Sequence, residues 1–195
     1  MRINRALEIS AQTKLIDWVK VSFNKEADFY TVIITFKGRI RPCKLSSKQI
    51  IFGNNELMFE SHCGRDFSVQ EIRKGFHEFM RQLDFKYLPT SLRKKGIRLK
   101  VFPCIGGDRS NGTYNHIHAY IQLPNSVPFE NAVTYMKKIA QNKMEEVCKV
   151  NGYVETDVWC EKCENVETKF IKYITRAEGG ITNRLDKVMI EQVYL

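Results

Sequence analysis

No stretch of this sequence is apolar for anything like the ~20 residues needed to cross a bilayer. The first residues, Met1-Arg-Ile-Asn-Arg-Ala-Leu7, lack the apolar core of a secretory signal. Both absences lead us to expect a soluble, cytoplasmic protein with no membrane partner. There is no internal repeat, no linker rich in Pro, Ser or Gly, and no Gly-x-x-x-x-Gly-Lys-Ser/Thr phosphate loop. The expectation is therefore one domain over 1–195, without a helicase unit. Low-complexity disorder is excluded by 11% aromatic residues and an ordinary Gly and Pro content. What the chain has in excess is positive charge: 31 Lys and Arg against 22 Asp and Glu, a net +9 over 195 residues. Such a surplus points to a polyanionic partner, of which nucleic acid is the first to consider.

Six cysteines in a chain without a secretory signal are expected to be reduced thiols. Cys160-x-x-Cys163 has the spacing of half a zinc site, but no second pair accompanies it, so structural zinc is not expected there.

Hydrophobic patterning predicts an α+β fold, an antiparallel sheet with helices packed on one face. Phe29–Phe36 reads as a central strand apolar on both faces. Leu57–Phe59 reads as a shorter strand after a turn at Gly53-Asn54-Asn55. Ser68-Val-Gln-Glu71 has capping-box spacing, and Ile72, Phe76, Phe79, Met80 and Leu83 follow at helical intervals. A strand over Ile97–Pro103, a turn over Gly106–Gly112 and a strand over His116–Pro124 come next. A second amphipathic helix carries Val133, Met136, Ala140, Met144 and Val147 on its apolar face. Tyr153–Trp159 reads as a strand and Val166–Glu178 as a helix stopped by Gly179-Gly180. The tail, within 181–195, is apolar enough to dock on the body.

Two stretches carry chemistry. On a strand, residues two apart share a face, so His116 and His118 point together while Ile117, Ala119, Ile121 and Leu123 point into the helix layer. Paired imidazoles on a polar face can hold a divalent metal if a third ligand exists. Asp108 on the preceding turn is the first candidate for it, and Glu60 the second. On the helix over 166–178, Lys169, Tyr173 and Arg176 share a stripe, and Lys172 adjoins the tyrosine. A phenol titrates near pH 10 and is a weak nucleophile at neutrality; flanking cations favour its phenolate and attract a phosphate.

In this order the pieces resemble the His-hydrophobic-His (HUH) endonucleases, in particular the small single-tyrosine initiators of rolling-circle replication. Tyr30–Phe36 is similar to that family's first motif, His116–Pro124 to its metal motif, and Lys169–Arg176 to its tyrosine motif, over roughly residues 28–178. Arg176 stands where the family has Lys, and Cys104-Ile105-Gly106 where an upstream Glu is expected. The resemblance implies Mn²⁺ or Mg²⁺ on His116 and His118, with Asp108 as a substitute third ligand. It implies attack by Tyr173 on a DNA phosphate, with Arg176, Lys172 and Lys169 balancing charge. Single-stranded DNA or an origin hairpin would lie over the sheet, its backbone met by Arg93, Lys94, Lys95, Arg98 and Lys100. A host helicase and polymerase would complete replication. A tyrosine transposase of an insertion sequence is the alternative within the same fold. A basic, ferredoxin-like nucleic-acid-binding module is the non-enzymatic one. Histidine-triad nucleotide hydrolases need a third alternating histidine, and position 120 is Tyr.

Overall fold

The structure is a computed structural model that describes residues 2–23, 28–42, 50–51, 57–58, 65–107, 115–148 and 152–163, with Ile171 and Val188. The elements in chain order are α1 (Arg2–Phe23), β1 (Phe29–Pro42), β2 (Ile50–Ile51), β3 (Leu57–Met58) and β4 (Arg65–Asp66). They continue with α2 (Val69–Tyr87), α3 (Thr90–Lys94), β5 (Val101–Gly106), β6 (His116–Pro124), α4 (Phe129–Cys148) and β7 (Gly152–Cys163).

Four strands lie side by side in the order β7-β1-β6-β5, every neighbour antiparallel. With α2 between β1 and β5, and α4 between β6 and β7, this is a βαββαβ arrangement of ferredoxin-like type. β4 takes over the edge of β1 beyond the start of β6, pairing at Arg39↔Asp66 and Ile40↔Arg65. β2 and β3 pair with each other, so the short strand expected at Leu57 belongs to a separate hairpin rather than to the main sheet.

The patterning of β1 explains its central place. Val32, Ile34 and Phe36 face α2 and α4, and Ile33 faces the other way, so burial on both faces and pairing on both edges follow from one apolar run. α2 starts where its capping box dictates. Ser68 Oγ accepts from the Glu71 N–H at 3.2 Å, and Glu71 Oε2 accepts from the Ser68 N–H at 2.8 Å. The Arg65 guanidinium grips the same carboxylate through both nitrogens, at 2.7 and 2.6 Å. Behind the cap, Ile72, Phe76, Phe79, Met80 and Leu83 are all buried, as their spacing predicts.

Boundaries differ from the sequence expectation in β1, β5 and β7, which runs to Cys163 rather than Trp159, and so does the buried stripe of α4. β1 runs six residues past Phe36, because β7 continues alongside it as far as Pro42↔Gly152. Gly38 allows that continuation: a Cβ there would stand 2.3 Å from the Glu155 carbonyl oxygen. β5 begins at Val101 rather than Ile97, because the Leu99 N–H is taken by the buried Asp84 carboxylate at 2.8 Å before the ladder starts. On α4 the buried stripe is Ala132, Met136, Ile139, Ala140, Met144 and Cys148. Val133 sits at its margin, because the two alanines turn their small side chains to the sheet.

The second face of the sheet is also partly covered. α1, whose weak amphipathicity did not mark it out, lays Ile16, Val19 and Phe23 against Ile33, Phe102 and Tyr120. Lys100 Nζ donates to the Ser22 carbonyl at 3.1 Å and Gln122 Nε2 to that of Phe23 at 2.5 Å, which caps the end of α1. Ile171, which is helical, and Val188 are buried in this second cluster, and Val188 bridges to Cys104 on β5. Of the tail over 181–195, Val188 is the only described residue. No helix of the described residues is long and apolar enough to cross a membrane.

Candidate functional site

The register sets three rows of side chains across the face opposite α2 and α4. His116 on β6 lies opposite Lys37 on β1, which lies opposite Asp157 on β7. His118 is followed in the same way by Thr35 and Trp159, and Tyr120 by Ile33 and Glu161. On the other side of β6, Gly106 and Cys104 oppose His116 and His118. α1 divides this face. Tyr120 and Gln122 are buried beneath it, whereas the two histidines are half-buried and Lys37, Arg39, Asp157 and Trp159 are exposed.

At the open end the imidazoles converge. His116 Nε2 and His118 Nε2 are 3.1 Å apart, with the rings edge to face at 80°. Thr35 Oγ1 lies 3.0 Å from the far nitrogen of His118, Nδ1. When Nδ1–H donates to that hydroxyl, the Nε2 lone pair faces His116, the orientation a metal-binding histidine needs. Burial, and then the neighbouring His116, push the His118 pKa down to about 4, so its ring is neutral at pH 7. Gly106 makes the room: a Cβ there would stand 2.2 Å from His116 Nε2.

The pair fits a cation. Two nitrogens bound about 2.1 Å from one ion at right angles lie about 3.0 Å from each other, by the metal–imidazole bond length. Among the described residues no third His, Cys, Asp or Glu gathers with them. The candidate third ligands Asp108 and Glu60 lie outside the described residues. Two acids on the same face serve other groups. Asp157 is 3.2 Å from Lys37 Nζ, and Glu155 is held by Arg41 and Arg39, which together keep its carboxyl below the usual range.

Tyr173, Arg176, Lys172 and Lys169 also lie outside the described residues. Ile171 is the nearest described neighbour of the tyrosine, and it is fully buried on the histidine face, in one cluster with Tyr120 and Cys104.

The basic segment is at the other end of the sheet. It leads into Val101, and five residue steps along β5, about 17 Å, take the chain from Val101 to Gly106 beside His116. Three of its cations hold protein atoms. Arg93 donates to the Leu88 carbonyl and stacks on Phe85, Arg98 is 3.7 Å from Asp84, and Lys100 caps α1. Lys94 and Lys95 are exposed. Cys160 and Cys163 belong to opposite faces of β7, the first packed in the helix-layer core and the second in the α1 cluster. A spacing of three in a strand separates the thiols, so they cannot share an ion.

Sequence reasoning did not single out Thr35, Gly106, Lys37 or Trp159. For Thr35 the signal was present, one of two hydroxyls, with Thr31, on the non-core parity of an apolar strand; the others depend on cross-strand register alone. Comparison with protein-family models, with curated proteins and with solved structures finds no match to this chain.

Proposed function

We propose that this chain is a metal-dependent endonuclease and ligase of the HUH kind. It would nick and rejoin single-stranded DNA through a 5′-phosphotyrosine and so initiate rolling-circle replication of a phage, plasmid or related element. The observation that carries this reading is the convergence of His116 and His118 Nε2, 3.1 Å apart, on the open half of the sheet face. Supporting it, Ile171 is buried on that same face, and Tyr173 is two residue steps along the chain from it, a reach of no more than about 7 Å. A basic module that merely binds nucleic acid does not call for two imidazole nitrogens brought within 3.1 Å of each other on this face.

The protein's own groups account for the transesterification. The Tyr173 hydroxyl loses its proton and attacks the scissile phosphorus. The P–O3′ bond breaks, the 3′-oxygen leaves as a hydroxyl, and the 5′-phosphate stays on the tyrosine. Because the bond lost is replaced by a bond of the same kind, attack by a 3′-hydroxyl reverses the step and releases Tyr173 without ATP. Arg176, with Lys169 or Lys172, would offset the charge that builds on the phosphate oxygens. His116 and His118 would hold a divalent cation, which supplies Lewis-acid polarisation of the phosphate. Imidazole donors suit Mg²⁺ poorly, so Mn²⁺ is expected to support activity at lower concentration than Mg²⁺.

The test is incubation with single-stranded DNA and Mn²⁺, followed by a denaturing gel. A covalent adduct should form with the unaltered protein and disappear in Tyr173→Phe, in His118→Ala and under chelation. An adduct that persists in Tyr173→Phe would refute the assignment of the nucleophile; failure of the unaltered protein to cut any single-stranded substrate would refute the activity.

A further inference from the structure

We propose that Trp159 is the platform on which one base of the bound strand stacks while its neighbouring phosphate reaches the histidine pair. The inference rests on the nucleic-acid reading above and adds to it the group that holds a base.

Trp159 lies opposite Thr35, the residue whose hydroxyl meets His118, so two strand spacings, about 10 Å, separate the Trp159 and His118 backbones. Its side chain is 50% exposed, yet it is mounted on a rigid base, because the adjoining Val158 and Cys160 pack into the helix-layer core. The surroundings select the kind of ligand. On this face the indole is flanked by Asp157 and Glu161 on its own strand and, diagonally, by Lys37 and the buried Ile33 on the next. Among the described residues, its exposed register neighbours on this face are charged, which does not favour an apolar protein partner. The cations nearby are matched by carboxylates, Lys37 by Asp157 and both Arg39 and Arg41 by Glu155. These ion pairs reduce, without cancelling, the attraction for phosphate at this end of the sheet. What remains available to a nucleic acid is a flat, uncharged π face, and stacking on such a face tolerates any base.

The chain has two tryptophans, so Trp18→Phe, an exposed site on α1, leaves Trp159 as the only indole reporter. Emission of that variant is followed against a short oligothymidylate and an abasic strand of equal length, with chelator present to keep both intact. Oligothymidylate should quench the emission to saturation and the abasic strand should change it little. Trp159→Ala should bind oligothymidylate about tenfold more weakly, by anisotropy of a labelled strand, with Trp159→Phe recovering part of the loss. Equal quenching by the abasic strand, or full affinity in Trp159→Ala, would overturn the platform and leave the nucleic-acid reading standing. Absence of binding by either strand to the unaltered protein would overturn both.

Discussion

At the scale of single residues the site depends on hydrogen bonds and clearances around two imidazoles. Thr35 Oγ1 meets His118 at Nδ1, the nitrogen turned away from His116, so under the proposed function its effect is expected on metal affinity rather than on the chemical step. Thr35→Val keeps the shape and removes the hydroxyl. Metal affinity should fall about 10- to 100-fold by calorimetric titration with Mn²⁺, and raising Mn²⁺ should restore nicking. Unchanged affinity would mean that packing alone holds the ring. His116 and His118 were legible as a pair because strand alternation is a local rule. Their partners Thr35 and Gly106 were not, since which residue of β1 or β5 stands beside them is fixed by pairing between segments distant in sequence.

At the scale of elements, the start of α2 was read correctly from four residues because a capping box is complete within its own segment. Its charge adds a pH dependence. The Arg65 guanidinium, aided by the Ser68 hydrogen bonds, pulls the Glu71 carboxyl down to about 2 from 4.5. A carboxylate held below its unfolded value stabilises the fold fully above about pH 4.5 and loses that contribution as pH falls towards 2. With solvent screening at the half-exposed Arg65 counted, the contribution is roughly 1–2 kcal/mol. Glu71→Gln should lower the melting temperature at pH 7, and the difference from the unaltered protein should shrink on acidification through that window. A constant difference would show that the hydrogen bonds matter and the charge does not. Elsewhere the element types were legible and their ends less so: β5 starts late because Asp84 captures the Leu99 N–H, a side-chain contact that no periodicity reveals.

At the scale of the whole molecule, the net charge of +9 and the local charges give different information. The basic run Arg93–Lys100 reads in sequence as one patch, yet Arg93, Arg98 and Lys100 are engaged by Leu88, Asp84 and Ser22. Affinity for single-stranded DNA should still fall with salt, as a straight line of log K against log salt with a slope near −0.7 for each phosphate neutralised. Replacing Lys94 and Lys95 together by Gln should make that slope shallower, whereas the same change at Arg98 should not. An unaltered slope in the double variant would remove the segment from the binding surface.

The sequence by itself determined the layer architecture, the cap of α2 and the shared face of His116 and His118. Each of these follows from a period of 2 or 3.6 residues or from a short motif, and so from neighbours along the chain. Only the tertiary structure decided that α1 closes one half of the histidine face and leaves the other open. It also decided that Thr35, Gly106 and Trp159 stand around the open half. Those outcomes depend on strand register and on which surfaces bury each other, which are properties of segments that meet only after the chain has folded.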